Sequence, residues 1–443
     1  MTLTARPTFR FAVLLISIAL AAAACGGDGD DGGDGGAGSV SLLHGISGEE
    51  EQAALQQAVD AFEEATGNTV QVEASPNFET VVLTRVQGGN PPDVGLYPQP
   101  GLLQRVQDDS IPLEDAGVDV ATLESELVDG MLTAGTFDDA VHGVVVKLGL
   151  KSLLWYPADD FEEAGYEVPQ TWDELLTLTE TIATDTEEDT TRAPWCIGIE
   201  SADATGWVAT DWIEDIMLRL HGADVYDQWV NHEIMFDSPE VREAFEELET
   251  IWMNEEFVLG GTTGILQTPF GDANAPMFQD PAGCFLHRQA GFIAGNFPPD
   301  AELGTDYDVA YLPGTGEENP ALFAGDLAAI HTDNPTAVEF VEFLVSAEGQ
   351  EAWMGHEGAG SLSVRTDFDS ASYPDEGLAA QGEIFASADV ARFDGSDQMP
   401  GQVGAGAFWE EVVAWVSGSQ DLDTTLQNID AAWPEEGEEQ EEE

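Results

Sequence analysis

Lys147 and Lys151 are the only lysines in a chain of 443 residues, so what they bind is the first chemical question. Both lie in the segment 142–157, whose Val and Leu content, interrupted by Gly143 and Gly149, predicts a buried extended strand. Gly149 would allow so long a strand to bend out of one sheet into another. Side chains an even number of positions apart face the same side of a regular strand. Either both lysines pair with carboxylates of this acidic chain, or the strand forms the floor of a cleft and Lys151 faces a ligand.

Trp207 and Asp211 form a second candidate pair, one turn apart near the start of a predicted helix. The buried face of this helix is predicted from apolar residues at helical spacing: Val208, Trp212, Ile213, Ile216 and Leu220. Both candidates lie on the flank of that face and can point into a cleft. An aromatic ring stacks on the apolar C–H groups of a sugar, while a carboxylate accepts hydrogen bonds from its hydroxyl groups. The alternative is a core tryptophan beside a solvated aspartate.

Two loops are candidates because of the elements that position them. Strand and helix patterns alternate over the first hundred residues, which indicates βαβ units and a mostly parallel sheet. Ligands bind such sheets beyond the carboxyl ends of the strands, and this selects the loops 44–49 and 97–99. Ser47 and Glu49 are the ligand candidates of the first loop. Ser47 with Glu50 also fits a capping box at the start of the following helix.

The charge balance is extreme, with 86 acidic against 12 basic residues and a net charge of −74. Nucleic acid is excluded as a partner, because no basic surface exists to displace counterions from phosphate. The 43% of hydrophobic residues suffices for a real core. In dilute buffer such a surface repels itself, whereas near 1 M salt the Debye length falls to about 3 Å. The composition therefore predicts a salt-loving host and a protein that loses stability on desalting.

Residues 1–25 predict export and lipid anchoring. Two arginines precede the apolar run 11–24, which is too short to span a membrane and is typical of a secretory signal. The sequence Ala-Ala-Ala-Cys ending at Cys25 resembles a bacterial lipobox, although Ala22 stands where Leu is preferred. The segment 26–39, rich in Gly and Asp, predicts a flexible tether. The alternative is an ordinary signal with an incidental cysteine.

If Cys25 carries lipid, Cys196 and Cys284 remain as an even pair in an exported protein, which favours a disulfide over two buried thiols. By the chain-entropy relation, a disulfide that closes so long a loop stabilises the protein by roughly 4–5 kcal/mol. The tail 434–443 is nearly all Glu and is predicted to be disordered.

No catalytic motif stands out. The chain has neither a P-loop lysine, nor a His-x-x-x-His pair, nor a Gly-x-Ser-x-Gly elbow. With 86 carboxylates, some pair will lie at glycosidase spacing by coincidence. The sequence favours binding over catalysis and gives no sign of a cofactor or a metal site.

Several blocks together resemble one family. They are Asn90-Pro91-Pro92-Asp93-Val94, Phe323-Ala324-Gly325-Asp326-Leu327, Phe340-Val341-Glu342-Phe343-Leu344 and Ser346-Ala347-Glu348-Gly349-Gln350. On these residues the chain resembles the extracellular solute-binding proteins of sugar ABC transporters, from about residue 40 to 433. The blocks around Cys196 and Cys284 are similar to an α-glucoside-binding branch, which supports the disulfide.

The resemblance implies an α/β, two-lobed periplasmic-binding-protein fold of type II, the maltose-binding type, with a ligand cleft between lobes that close about a hinge. Lobe one would comprise 40–148 plus 314–360, and lobe two 149–313 plus 361–433. Three segments would cross between the lobes: 142–157, about 309–313, and 361–366.

The resemblance also implies a set of cleft residues: Ser47, Gly48, Glu49, Gln99, Lys151, Trp207, Asp211, Phe297, Gly325 and Asp326. The expected protein is a monomeric receptor, lipid-anchored outside the cytoplasmic membrane. It would capture a sugar, an α-glucoside by its branch, and deliver it to ABC permease subunits driven by a separate ATPase. A receptor for a polyol or short peptide is the alternative within the class. A secreted glycoside-acting enzyme is the alternative outside it.

Overall fold

The computed structural model describes residues 37–46, 48–75, 77–315 and 319–434. The strands of these residues are β1 (Ser39–His44), β2 (Thr69–Ala74), β3 (Val94–Tyr97), β4 (Thr136–Phe137), β5 (Ala140–Val141), β6 (Gly143–Leu150), β7 (Leu153–Tyr156), β8 (Ala193–Trp195), β9 (Cys284–Arg288), β10 (Asp308–Tyr311), β11 (Pro320–Ile330) and β12 (Val390–Phe393). Cys25 and the tail beyond residue 434 lie outside the described residues, as does Ser47.

The longer helices cover the sheets, with shorter ones in the connections. They are α1 (Glu49–Thr66), α2 (Phe78–Gln87), α3 (Pro100–Gln104), α4 (Leu113–Ala116), α5 (Val120–Glu126), α6 (Ala158–Ala164), α7 (Trp172–Thr186), α8 (Trp207–His221), α9 (Ala223–Val230), α10 (Pro239–Trp252), α11 (Gly261–Gln267), α12 (Pro335–Val345), α13 (Ala347–Met354), α14 (Glu376–Ala386), α15 (Gly395–Gln398), α16 (Trp409–Val416) and α17 (Leu422–Ala431). Over the part of the chain described, none of them is both long and apolar enough to cross a membrane.

The first sheet has the strand order β12-β11-β3-β1-β2, with β6 also paired to β11. β1 runs parallel to β2 and β3, as the alternating pattern predicts, whereas β11 is antiparallel to both β3 and β6. The sheet is therefore mixed. Parallel neighbours place the ends of β1 and β3 at one edge, where the first loops emerge.

Helix α1 shows how local sequence produces this lobe. Its buried side chains recur at helical spacing and pack against the sheet: Ala54, Leu55, Ala58, Val59 and Phe62. The helix begins at Glu49, with Gly48 in the N-cap position and no side-chain cap. The predicted capping box of Ser47 with Glu50 is wrong, because the first turn starts one residue later than that motif requires.

The second sheet has the order β10-β7-β9-β8. Helices α7, α8 and α10 pack on it around buried tryptophans, among them Trp195, Trp212 and Trp252. The predicted disulfide between Cys196 and Cys284 is confirmed. It joins the residue that follows β8 to the first residue of the parallel strand β9, with a Cα–Cα distance of 5.5 Å. The two sheets with their helices form the two lobes of the α/β fold.

The segment 142–157 leaves the first sheet as β6 and enters the second as β7. The break falls at Lys151 and Ser152, two residues after the predicted bend at Gly149. Strand β12 lies within 361–433, which was predicted to belong to lobe two. It instead pairs in parallel with the start of β11 in the first sheet. The exact lobe boundaries stay a prediction.

Candidate ligand cleft

A cavity of about 310 Å³ lies where β6, β11 and the crossing residues 360–362 meet the start of α3. One side is lined by Glu51, Pro98, Gln99, Lys147, Leu148, Gly149, Ala324, Gly325, Asp326, Gly360, Ser361 and Leu362. The other residues around it are Gly291, Phe292, Leu378, Gln381 and Asp397. Pro98 and Gln99 follow β3, so the cavity adjoins the carboxyl end of a strand, as expected for such a sheet.

Lys147 and Asp326 form an ion pair on the cavity wall, with Nζ 3.4 Å from Oδ2. They face each other because β6 and β11 pair in register there, next to a bulge after Asp326. The adjacent Gly325 is required sterically, since a Cβ would lie 2.1 Å from the carbonyl oxygen of Lys147. Burial acts to lower the pKa of Lys147, but Asp326 and Glu51 raise it above its ordinary value. Lys147 is therefore a fixed ammonium group at neutral pH.

A polar side chain of the cavity wall has hydrogen-bonding capacity to spare. The Oε1 of Gln99 is buried and has no hydrogen-bond partner within the described chain. Gln381 also lines the cavity and is 3% exposed. Buried polar groups in proteins are almost always hydrogen-bonded. The unpartnered oxygen of Gln99, a residue of the cavity wall, is therefore a candidate for a ligand contact.

Phe292 supplies the aromatic surface of the cavity and is 47% exposed. Its ring contacts Trp207 at 5.9 Å and Phe270 at 6.2 Å between centroids. Trp207 lies behind Phe292, with its ring 5.1 Å from that of Phe270. The predicted aromatic platform is therefore a cluster in which Phe292, rather than Trp207, is the ring that lines the cavity.

Lys151 and Asp211 lie in a buried network of charges and do not line the cavity. The Nζ of Lys151 donates to Asp211 over 2.8 Å and also to Asp394. Burial acts to lower the pKa of Lys151, but Asp211 and Asp394 raise it well above its ordinary value. Of the two alternatives for Lys151, pairing with carboxylates is the one observed. Asp211 was predicted either to face a cleft or to be solvated. It does neither, because it is a buried ion-pair partner.

Helix α8 supplies further members of this network at one-turn spacing, and β9 supplies Arg288. Asp215 accepts hydrogen bonds from Ser152 over 2.6 Å and from Arg288 Nε over 2.9 Å, and Arg219 donates to it from the next turn. Burial acts to raise the pKa of Asp215, but Arg219 and Arg288 hold it below its ordinary value. Arg219 also donates to the carbonyl of Leu312 over 2.7 Å. The network thus ties the crossing at residue 152 to the segment after β10.

Glu214 lies beside the network without a cation of its own in the described chain. Its carboxyl accepts from the backbone N–H groups of Gly395 over 3.1 Å and Ser396 over 3.0 Å. Burial and the nearby Asp394 raise the pKa of Glu214 well above its ordinary value. The surroundings of this carboxyl therefore favour its neutral form.

One cluster in the described residues has the donor set of a metal site, with carboxylates of Asp211, Glu214 and Asp394 within 4.8 Å of one another. Lys151 donates to two of these carboxylates. Its ammonium group already supplies the positive charge, so the cluster does not fit a metal ion.

The predicted cleft residues divide clearly. Gln99, Gly325 and Asp326 line the cavity. Gly48 and Glu49 are exposed at the start of α1, where Glu51 reaches the cavity instead. Phe297 is buried in an aromatic cluster, 5.2 Å from Trp155 and 4.9 Å from Tyr307 between centroids, and is not brought to the cavity.

The lining residues that were not predicted include Glu51, Lys147, Phe292, Gln381 and Asp397. Lys147 carried a signal in the same strand as Lys151, and Phe292 lies five positions before the aromatic residue that was chosen. Gln381 and Asp397 carry no local signal, because only the tertiary fold brings α14 and α15 to the cavity.

The fold and this cavity define a solute-binding protein, and comparison with known proteins agrees. The chain belongs to the family of bacterial extracellular solute-binding proteins, whose sequence profile matches residues 46–351. It is 38% identical over 96% of its length to the osmoprotective compounds-binding protein GgtB of Synechocystis sp., of which 99% is covered. It is 39% identical over 87% of its length to the alpha-glucosides-binding periplasmic protein AglE of Rhizobium meliloti, of which 84% is covered.

Solved structures agree on the fold. The solute receptor AcbH superposes with a TM-score of 0.74 at 16% identity, covering 89% of this chain and 98% of that one. A cyclo/maltodextrin-binding protein superposes with a TM-score of 0.67 at 15% identity, covering 90% and 97%. The maltose-binding type of fold and the resemblance to sugar-binding proteins are thus confirmed. The protein is an extracytoplasmic receptor of an ABC transporter, and its activity is binding rather than catalysis.

Proposed function

We propose that this receptor binds a compact, neutral, polyhydroxylated solute of the α-glucoside class in the cavity between β6, β11 and α14. The observation that carries the proposal is a cavity lined both by polar side chains, one of them with an unpartnered amide oxygen, and by one exposed aromatic ring. Gln99 and Gln381 offer hydrogen bonds to hydroxyl groups, and Phe292 offers a face for apolar C–H groups. This pairing of contacts suits a sugar ring.

The size of the cavity favours a small ligand. At about 310 Å³ it lies at the low end of the usual 300–1,000 Å³ range for ligand pockets. One or two sugar rings, or one ring joined to a short polyol, would fill it. The name of AglE points to α-glucosides and that of GgtB to osmoprotective compounds. A glucosylated polyol would combine both chemistries.

The charges of the cavity favour a neutral ligand. Glu51 and Asp326 are acidic, and Lys147 is already paired with Asp326. A peptide carboxylate or a sugar phosphate would have to compete with Asp326 for that ammonium. The acidic groups instead accept hydrogen bonds from hydroxyls. The peptide alternative is therefore disfavoured, and the polyol alternative remains a second candidate because of the relationship to GgtB.

We further propose that capture proceeds by closure of the two lobes and that Cys25 carries the lipid anchor, with the receptor acting as a monomer. Export and lipidation rest on the pattern of residues 1–25. Membrane fractionation of cells expressing the full chain tests the anchor. Cys25→Ser should release the protein from the membrane fraction, and retention of the variant would contradict lipid anchoring.

The test of the ligand is intrinsic tryptophan fluorescence and calorimetry in about 1 M salt, where screening is strongest. The panel is maltose, trehalose, sucrose, glucose, a glucosylated glycerol, free polyols and dipeptides. A saturable change with one α-glucoside is expected, since Trp207 contacts the cavity ring Phe292. A response only to dipeptides would overturn the proposal. Turnover of an aryl α-glucoside would overturn the assignment as a pure binding protein.

A further inference from the structure

Asp397 lines the cavity but does not belong to β6 or β11, the strands that form the cavity wall. It lies in α15, a single turn that follows β12, and its side chain is among those that line the cavity. Within the described residues its carboxyl accepts no hydrogen bond and joins no ion pair, although its own backbone N–H donates to Asp394 over 2.9 Å. The turn therefore presents a free carboxyl to the cavity while its backbone is held.

The buried network of charges restrains the backbone of this turn. Asp394 caps it, accepting from Ser396 Oγ over 2.8 Å, and is itself held by Lys151. Glu214 accepts two backbone N–H groups of the same turn. Each of these contacts restrains the backbone next to Asp397, and the carboxyl itself is left free.

The turn is also fixed on its flanks, by elements from both lobes. In α3, a Cβ added to Gly101 would lie 3.0 Å from the carbonyl oxygen of Met399 and 3.2 Å from that of Asp397, so the helix packs directly on the turn. From α9, Tyr226 donates to the carbonyl of Phe393 over 2.9 Å. A turn restrained on three sides is preorganised, which lowers the entropic cost of any contact that Asp397 makes.

We infer that Asp397 is a specificity-determining ligand residue and that Lys151, Glu214 and Ser396 are positioning residues that hold its carboxyl at the cavity. The inference rests on the proposed function, because it takes the ligand to be a hydroxyl-bearing solute. The carboxyl would bond one hydroxyl of the sugar or polyol. Lys151 thus serves ligand binding through Asp394 and without touching the ligand.

The test is calorimetric titration of the full mature protein with maltose, trehalose and a glucosylated glycerol. Asp397→Ala should weaken the best of these ligands at least about tenfold, the effect of losing roughly 1.4 kcal/mol. Asp300→Ala, at an exposed aspartate away from the cavity, is the matched control and should change affinity less than about twofold. Equal affinity of Asp397→Ala and the unaltered protein would overturn the inference and leave the proposed function intact.

The positioning role is tested by a double-mutant cycle, because Lys151→Met leaves buried carboxylates unpaired and can prevent folding. Ser396→Ala removes a milder contact to Asp394 and should weaken binding about three- to fivefold in the unaltered background. In the Asp397→Ala background it should have no further effect, since no carboxyl is left to misplace. Equal weakening in both backgrounds would show a merely structural role and overturn the positioning part. Failure of the unaltered protein to bind any of the three ligands would overturn both proposals.

Discussion

The buried network around α8 and the cavity beside β6 both contain lysine and acidic side chains, yet they differ in how far their polar groups are satisfied. In the network, Lys151, Asp215 and Arg288 each have at least two side-chain partners. In the cavity, the amide oxygen of Gln99 has no partner within the described residues. The partnered groups of the network have a structural role, whereas the unpartnered oxygen of Gln99 belongs to a residue of the cavity wall and is available to a ligand.

The comparison also separates two energetic roles. Removing one member of a buried ion pair leaves an uncompensated charge, which typically costs 3–5 kcal/mol of stability. Removing an unpartnered cavity group leaves nothing behind and changes affinity instead. The two regions should therefore respond oppositely to substitution: the network through the free energy of unfolding, the cavity through Kd.

The largest expected effect is in the network. Arg288→Met should lower the free energy of unfolding by about 3–5 kcal/mol, because Asp211 and Asp215 lose a buried partner. Urea unfolding at constant salt measures it. The control is Arg85→Met, which breaks an exposed pair with Glu73 and should cost less than about 1 kcal/mol. Similar losses for the two variants would remove the distinction between buried and surface pairs.

The next effect is on pH dependence. The folded state raises the pKa of Glu214 above its ordinary value of 4.5, so it holds a proton that the unfolded chain releases. Glu214 therefore lowers the free energy of unfolding by an amount that grows as pH rises above that value. Glu214→Gln removes this titration. The free energy of unfolding of the variant, relative to that of the unaltered protein, should therefore increase by up to about 1.4 kcal/mol for each pH unit.

Unfolding measured at pH 5, 6 and 7 tests the Glu214 prediction. Glu246→Gln, at an exposed position of α10, is the control and should show no such trend. A stability difference for Glu214→Gln that stays constant with pH would mean that Glu214 is charged in the folded protein.

The cavity should respond in affinity alone. Phe292→Ala should weaken sugar binding about tenfold, from the loss of roughly 1–2 kcal/mol of apolar burial against the ligand. Its stability should change by less than about 0.5 kcal/mol, since the ring is half exposed. Calorimetry and thermal melts measure the two quantities. A large drop in melting temperature with unchanged Kd would place Phe292 in the structural region instead.

The smallest expected effect is that of salt, which should act on the charged surface and hardly on the buried network. Raising salt from about 0.1 M to about 1 M should raise the melting temperature of the unaltered protein, because it screens a net charge of −74. The stability difference caused by Arg288→Met should change by less than about 0.5 kcal/mol, because buried pairs are screened little. A penalty that disappears in salt would mean that the network is open to solvent.

Much of the fold could be predicted from local pattern. Alternating strand and helix signals predicted the parallel pairing of β1 with β2 and β3, and cysteine count predicted the disulfide. The cleft was predicted less well. Gln99, Gly325 and Asp326 follow or lie in recognisable strands, whereas Lys151, Asp211 and Phe297 were assigned to the cleft and are buried elsewhere.

The reason is visible at Lys151. The sequence by itself determined that this residue lies in an apolar, largely extended segment of a strongly acidic chain, because charge, composition and periodicity are local properties. It could not determine which carboxylate the ammonium meets, because Asp394 is 243 positions away and many other acidic residues compete. Only the tertiary structure brought Asp394 to Lys151 and left Asp397 facing the cavity, since partner choice depends on which elements meet in space.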